Sequence, residues 1–173
     1  MILFIDMDEV MADTYNAHIE HYNAAFNENL TIEECMGHEV YQKVPVERQK
    51  SIWQHYYKEG FFRGLRPMND SIRVLQELQK KYDVFIASAA MQFPNSLLEK
   101  HQWLDEHFPF IHWKNRILCG DKHILKGDLL IDDRSHNLEK FDGKSLLFTS
   151  PHNIHTKKFD RVNNWNEIGE TLL

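Results

Sequence analysis

The feature that most constrains this chain is a run of four apolar residues, Ile2 to Ile5, followed directly by Asp6-Met7-Asp8. Three of the four are β-branched or aromatic, which is typical of a strand buried on both faces in a parallel sheet. Alternate side chains of an extended segment point the same way, so we expect Asp6 and Asp8 to lie together at the carboxyl edge of the sheet. Folding does not require two repelling acids there. The pair therefore indicates either a cation between them or a proton-transfer role for one of them.

Length and composition exclude several classes of protein. A chain of 173 residues suits one domain with a sizeable core. The net charge of −6, without a basic stripe, argues against a nucleic-acid polymer as partner. No apolar run approaches the roughly 20 residues needed to span a membrane, and the start lacks a basic region and a cleavage site. We therefore expect a cytoplasmic protein in which Cys35 and Cys119 are reduced thiols.

A segment rich in helix signals and aromatic residues, 14–67, separates the first strand from the second. Apolar residues at helical spacing predict helices over 14–26 and 46–59. We interpret the segment as a small helical cap inserted over the strand ends. The remaining residues, 1–13 and 68–173, then form the core domain.

The aromatic residues of the cap allow two interpretations. Those at helical spacing most simply form the cap's own core. The alternative is that Phe61 or Phe62 stacks on a planar group such as a nucleobase, and both interpretations can hold for different residues. His18 and His21 lie on the first cap helix. Without a third ligand at a recognisable spacing, we interpret them as helix surface rather than as a metal site.

Four further strands are predicted, and helical stretches separate them. They cover 83–87, 116–119, a segment from 128 that ends in Asp132-Asp133, and 145–149. Strands that alternate with helices predict an α/β fold with a doubly wound, parallel, five-stranded sheet.

The strand ends of such a sheet would gather four carboxylates, a hydroxyl and a lysine: Asp6, Asp8, Asp132, Asp133, Ser88 and Lys122. Mg²⁺ prefers oxygen ligands and is commonly held by one or two carboxylates plus a substrate phosphate. Lys122 would neutralise phosphoryl oxygens and Ser88 would orient them. The plainer alternatives are a turn with a helix cap at Asp132-Asp133 and a turn residue at Ser88. Paired acids at two strand ends favour the metal and phosphate site.

These residues, in this order and at this spacing, resemble the four motifs of the haloacid dehalogenase (HAD) superfamily. A narrower resemblance, to the 5'(3')-deoxyribonucleotidases, is carried by the segments 60–67, 99–104, 121–122 and 127–134. The last of these segments is the most specific. The likeness covers nearly the whole chain and is weaker in the cap before Gly60. It implies a HAD-like core and a Mg²⁺-dependent phosphatase acting on 5'-deoxyribonucleoside monophosphates, with 3'-phosphates left open.

The resemblance also implies roles for individual residues. Asp6 would be the nucleophile, and Asp8 would protonate the leaving oxygen and then activate water. Mg²⁺ would be held by Asp6, the backbone carbonyl of Asp8, and Asp133, with Asp132 supporting them.

For the substrate, the resemblance implies that Ser88 and Lys122 bind the phosphoryl group, with Phe61 or Phe62 near the base. The partner would be a small-molecule nucleotide. Family members are often dimers, so a homodimer is a further expectation from the resemblance alone.

Two positions depart from the family pattern. Glu9 stands where members commonly have Gly, and we expect its side chain to point away from the phosphate. Ala89 and Ala90 stand where a hydroxyl residue and Pro often follow Ser88, which removes one hydrogen-bond donor, worth about 1 kcal/mol. Two alternatives to the nucleotidase therefore stay open. One is a HAD phosphatase for another small phosphomonoester such as a sugar phosphate, and the other is a catalytically silent module that binds nucleotides or proteins.

Overall fold

A parallel sheet of six strands runs through the centre of the computed structural model, which describes residues 1–173. The strands are β1 (Ile2–Ile5), β2 (Asp83–Ser88), β3 (Arg116–Leu118), β4 (Leu129–Asp132), β5 (Lys144–Phe148) and β6 (Asp160–Val162). Their order is β3-β2-β1-β4-β5-β6, and each neighbouring pair is parallel. The predicted α/β fold with a doubly wound parallel sheet is confirmed.

The predicted number of five strands is wrong, because the sheet contains a sixth strand, β6. This strand has three residues, of which only Val162 is buried, so it carries no apolar run that marks a strand in the sequence. Its conformation is set by pairing with β5, in the register Leu146 to Asp160 and Phe148 to Val162.

The chain has seven α-helices. They are α1 (Thr14–Phe26), α2 (Ile32–Cys35), α3 (Val46–His55), α4 (Ser71–Leu78), α5 (Pro94–His107), α6 (Ser135–Lys140) and α7 (Trp165–Leu172). Helix α3 ends four residues before the predicted boundary. The chain turns there towards Gly60, whose φ of +82° suits glycine best. None of the helices combines the length and hydropathy needed to cross a bilayer.

The two faces of the sheet have separate cores. Leu3 and Ile5 of β1 belong to the larger core, which also contains the buried side chains of α4, α5 and α7. Phe4, between them, points to the other face and packs with Leu138 of α6 and Phe141. This alternation is the period-two pattern of a strand covered on both sides, which agrees with the apolar character of β1.

The helices α1 to α3 lie between β1 and α4 and have a small core of their own. It comprises Tyr15, Ile19, Tyr22, Cys35, Val40, Val44 and Ile52. The chain enters and leaves this segment at one place, since Asp13 N–H donates to the Arg66 carbonyl at 2.9 Å and Ala12 pairs with Pro67. We refer to residues 14–67 as the cap; the boundaries 13/14 and 67/68 stay a prediction.

The interpretation of His18 as a surface residue is wrong, whereas His21 is exposed. His18 is 4% exposed, and its Nδ1 lies 3.3 Å from Nδ1 of His55. Burial and the neighbouring histidines lower the pKa of His18 to about 3 and the pKa of His55 to about 4. The two rings are therefore neutral and form a polar pair inside the cap.

Candidate active site

The carboxyl ends of the adjacent strands β1 and β4 bring three acids into contact. Carboxylate oxygens of Asp6, Asp132 and Asp133 lie within 4.8 Å of one another, and each side chain is nearly inaccessible to water. Together with Asp8, we call these residues the acidic cluster. The strand order places the cluster at the end of the sheet where ligands bind in open α/β folds.

Lys122 bridges two members of the acidic cluster. It lies in a short 3₁₀ turn after β3, and its Nζ is 2.5 Å from Asp6 Oδ1 and 2.6 Å from Asp132 Oδ2. Burial alone would lower the pKa of Lys122, but these two carboxylates outweigh it and raise the pKa above its ordinary value. The lysine therefore stays charged in a buried position.

Asp6 has a pKa well above its ordinary value. Burial is the largest cause, Lys122 opposes it, and the carboxylates of Asp132, Asp133 and Asp8 add to the rise. Lys122 therefore does not offset the combined effect of burial and the neighbouring carboxylates on Asp6. A bound cation would relieve it.

Asp132 and Asp133 are fixed by the loops around them. Asp132 accepts hydrogen bonds from Asn137 Nδ2 and from the Arg134 backbone N–H. Asp133 Oδ2 lies 2.7 Å from His152 Nε2 and 3.2 Å from Arg134 Nε. Burial would raise the pKa of Asp133, but His152 and Arg134 lower it below its ordinary value. Asp133 is therefore held as a carboxylate.

One buried lysine, Lys100, contacts both Asp8 and Ser88. The sequence alone did not identify it as a site residue. Lys100 Nζ donates to Asp8 Oδ2 at 2.5 Å and to Ser88 Oγ at 2.8 Å, and it lies 4.8 Å from the centre of the Phe62 ring. Lys100 is 2% exposed. The signal in the sequence was its place one turn before Trp103 on the inner face of α5, inside a segment that carried the family resemblance.

A cavity of about 510 Å³ lies between the acidic cluster and the cap. Asp6, Asp8, Lys100, Lys122 and Asp133 line its floor. This volume is in the range of cavities that hold small-molecule ligands.

The aromatic wall of this cavity differs from the predicted one. Phe61 and Phe62 are 4% and 1% exposed and do not line it. Phe61 packs against the His18 ring, with centroids 5.0 Å apart. The aromatic residues that do line the cavity are Tyr15, Tyr41, Trp53, Tyr56 and Phe93. A contact of Phe61 or Phe62 with a base stays a prediction.

At the positions that depart from the family pattern, the structure contradicts the expectation for Glu9 and agrees with the one for Ala89 and Ala90. Glu9 lines the cavity instead of pointing away, is 5% exposed, and accepts a hydrogen bond from Ser150 Oγ at 2.8 Å. Burial raises the pKa of its carboxyl group, and nearby Asp133 adds to the rise. Ala89 lines the cavity and Ala90 is buried, so neither supplies a side-chain donor.

The cap contacts the core beside the acidic cluster. Arg134 forms an ion pair with Glu39 of the cap as well as with Asp133. Gly37 N–H donates to the Pro151 carbonyl at 2.8 Å. Both contacts involve loops whose residues also contact Asp133. The cap is therefore bound to the core at the edge of the site.

The donor set of the site fits a hard divalent cation. Only oxygen ligands face one another at the acidic cluster, as Mg²⁺ requires. In addition, Asp8 Oδ1 is buried and accepts no hydrogen bond. A buried carboxylate oxygen without a partner is costly, and a ligand that binds there would satisfy it.

Comparison with known proteins extends this description. The family described as "5' nucleotidase, deoxy (Pyrimidine), cytosolic type C protein" matches residues 1–173. The 5'(3')-deoxyribonucleotidase of Bacillus subtilis strain 168 is 38% identical over 172 residues, covering 99% of this chain and 98% of the relative. The 5'(3')-deoxyribonucleotidase of Bacillus phage SPbeta has the same identity and coverage.

Solved structures resemble the chain in fold. A haloacid dehalogenase-like hydrolase of Streptococcus pneumoniae superposes with a TM-score of 0.61 at 12% identity, covering 99% of this chain and 98% of that protein. YfnB of Bacillus subtilis, in a crystal structure bound to magnesium, gives a TM-score of 0.61 at 12% identity, with coverage of 99% and 97%. At this identity the likeness concerns the fold, which is that of the HAD superfamily.

Proposed function

Because the chain belongs to the family described as "5' nucleotidase, deoxy (Pyrimidine), cytosolic type C protein", we propose that it hydrolyses 5'-deoxyribonucleoside monophosphates to the nucleoside and inorganic phosphate. The observation that carries the proposal is one cavity that is lined both by acids and lysines of the core and by aromatic residues of the cap. Asp6, Asp8, Asp133 and two buried lysines line one part of it, and aromatic side chains of the cap line another. A phosphate suits the first surface and a nucleoside the second.

In the proposed reaction, a carboxylate oxygen of Asp6 attacks the phosphorus atom in line with the bond to the sugar oxygen. The new bond joins Asp6 to phosphorus, the bond to the sugar oxygen breaks, and Asp8 gives that oxygen a proton. Asp8 then takes a proton from a water molecule that attacks the aspartyl-phosphate. This second step releases phosphate and restores the Asp6 carboxylate.

The surroundings of Asp8 suit this role. Lys100 holds one carboxylate oxygen, Oδ2, whereas Oδ1 has no partner. A fixed carboxyl group with one free oxygen can pass a proton without losing its orientation.

We propose that Asp6, the backbone carbonyl of Asp8, and Asp133 hold Mg²⁺, with Asp132 supporting them through Lys122. When bound, the ion would neutralise charge on the phosphoryl oxygens. Lys122 would contact the phosphoryl group. Ser88 is completely buried and does not line the cavity, so it would act on the phosphoryl group only through Lys100, which donates to its hydroxyl. The buried positions of these side chains support well-defined orientations.

The test is phosphate release from a panel of 5'- and 3'-deoxyribonucleotides, ribonucleotides, sugar phosphates and aryl phosphates, with Mg²⁺ and with EDTA. We expect metal-dependent release concentrated on 5'-deoxyribonucleotides, and none from Asp6→Asn. Release from sugar or aryl phosphates alone would keep the chemistry and reject the nucleotide substrate. No release from any substrate would reject the phosphatase and support a catalytically silent binding module.

A further inference from the structure

Glu9 stands out in the site because neither packing nor backbone geometry explains it. Its φ is +64°, in the left-handed region that a glycine adopts without strain. The other non-glycine residues with positive φ are Asn27 and Asp70, which lie at helix ends, and asparagine and aspartate tolerate this conformation better than glutamate. A long acidic side chain at such a position calls for a functional explanation.

The backbone of this turn is held from several sides. Glu9 N–H donates to the Ala12 carbonyl at 2.8 Å, and Ala12 N–H donates to the Met7 carbonyl at 2.9 Å. Trp165 Nε1 donates to the Val10 carbonyl at 2.7 Å. The backbone conformation of Glu9 is therefore set by the turn.

The side chain is directed into the site and is anchored there. Ser150 Oγ, which is itself buried, donates to Glu9 Oε2 at 2.8 Å, and Glu9 lines the cavity. No other hydrogen bond reaches the carboxyl group. Its second oxygen, Oε1, is thus available to a group that binds in the cavity.

Charge distinguishes Glu9 from the acidic cluster. Asp6 and Asp132 pair with Lys122, Asp8 with Lys100, and Asp133 with Arg134, each within 4.0 Å. Glu9 has no cationic partner within that distance. Five carboxyl groups thus lie beside three cationic side chains, and Glu9 is the one that forms no ion pair with them.

We propose that Glu9 is a positioning residue for the divalent cation, acting beside Asp133 from outside the ligand set. It would accept hydrogen bonds from water that the ion keeps, since Mg²⁺ normally retains several waters, and would add one negative charge to the site. The inference rests on the metal dependence proposed above. It implies that this chain binds the cation more tightly than a chain with glycine at position 9 would.

The test is titration calorimetry of MgCl₂ into EDTA-treated wild-type protein and variants, without substrate. We expect Glu9→Gln and Glu9→Gly to weaken Mg²⁺ binding about 10-fold. Ser150→Ala removes the hydrogen bond to Glu9 but keeps the Glu9 carboxyl group. It should therefore weaken Mg²⁺ binding by a smaller factor than the Glu9 variants do. Asp121→Asn is the matched control, because Asp121 lines the same cavity but is half exposed and pairs with His123 and Lys140. Its Kd should change by less than about 2-fold.

Two further readouts separate this role from a structural one. Without Mg²⁺, Glu9→Gly should melt no lower than wild type, because glycine relieves the backbone, while the rise in Tm on adding Mg²⁺ becomes smaller. At saturating Mg²⁺, KM for the nucleotide should not increase in Glu9→Gln. Lower melting without metal, together with an increased KM at saturating metal, would indicate a structural role and overturn the proposal.

The outcomes also separate this inference from the proposed function. Wild-type protein that binds Mg²⁺ while Glu9→Gln binds it equally well would overturn the role of Glu9 alone. Wild-type protein that binds no Mg²⁺ would overturn the proposed metal dependence, and this inference with it.

Discussion

Lys100 Nζ lies 2.5 Å from Asp8 Oδ2 and 2.8 Å from Ser88 Oγ, so one buried amine from α5 joins the ends of β1 and β2. In the proposed reaction, this contact orients the group that gives and takes the proton. We therefore expect Lys100 to be required for activity.

Replacing Lys100 by Met, which keeps most of the volume, should reduce kcat by about 100-fold or more, because Asp8 and Ser88 lose their common partner. The measurement is steady-state phosphate release at saturating nucleotide, with circular dichroism to show that the variant is folded. Lys140→Met is the control, since Lys140 also lines the cavity but is half exposed and should leave kcat nearly unchanged. Equal activity of Lys100→Met and wild type would contradict the assigned role.

Lys122→Met should destabilise the protein by about 3 kcal/mol at pH 7, because it leaves the buried carboxylates of Asp6 and Asp132 without their shared cation. Urea unfolding in EDTA measures this loss. Lys126→Met, at an exposed lysine in the same loop, should change the free energy of unfolding by less than about 0.5 kcal/mol. A loss of similar size in both variants would show that the bridge is not the cause.

His18 should make the protein sensitive to acid. Its pKa of about 3 lies below the unfolded value of 6.5, so the unfolded chain takes up protons first and stability falls as the pH drops below 6.5. From pH 7 to pH 5 the loss from His18 alone is about 2 kcal/mol. Urea unfolding at several pH values should give a smaller pH slope for His18→Leu. His101→Leu, at a half-exposed histidine, is the control for the replacement of a histidine by leucine.

Trp53→Ala should raise KM for nucleotides about 5-fold if the cavity wall contacts the base, because an aromatic stacking contact contributes about 1 kcal/mol. KM for a phosphate without a base, such as deoxyribose 5-phosphate, should not change. Trp113→Ala provides the control, since Trp113 is exposed and does not line the cavity. If only Phe61 or Phe62 variants raised KM for nucleotides, the base contact predicted from the sequence would replace the one inferred from the cavity.

Several elements could be predicted because their signals are local. The run Ile2 to Ile5 is apolar at every position, and burial on both faces of a parallel sheet produces that pattern directly. Asp6, Asp132 and Asp133 could be placed together because carboxyl ends of parallel strands meet at one edge. The strand β6 has no such signal, since its conformation depends on its partner β5.

Other features depend on contacts between residues far apart in the chain, which no local pattern records. Lys100 lies 92 positions from Asp8, and only the packing of α5 brings its amine to the strand ends. His18 is buried against His55 only because α1 packs against α3, and the pattern of α1 alone does not predict this contact. Glu9 lies next to Asp8, yet its direction depends on Ser150, 141 positions away.

The amino-acid sequence by itself therefore determined the α/β class, the strand-end acids and the family, because apolar periodicity and motif order are properties of the chain. The tertiary structure decided which cations pair with those acids, which aromatic residues line the cavity, and where Glu9 points. The physical reason is that charge compensation and burial depend on distances in space, and the fold sets these distances only when distant segments pack together.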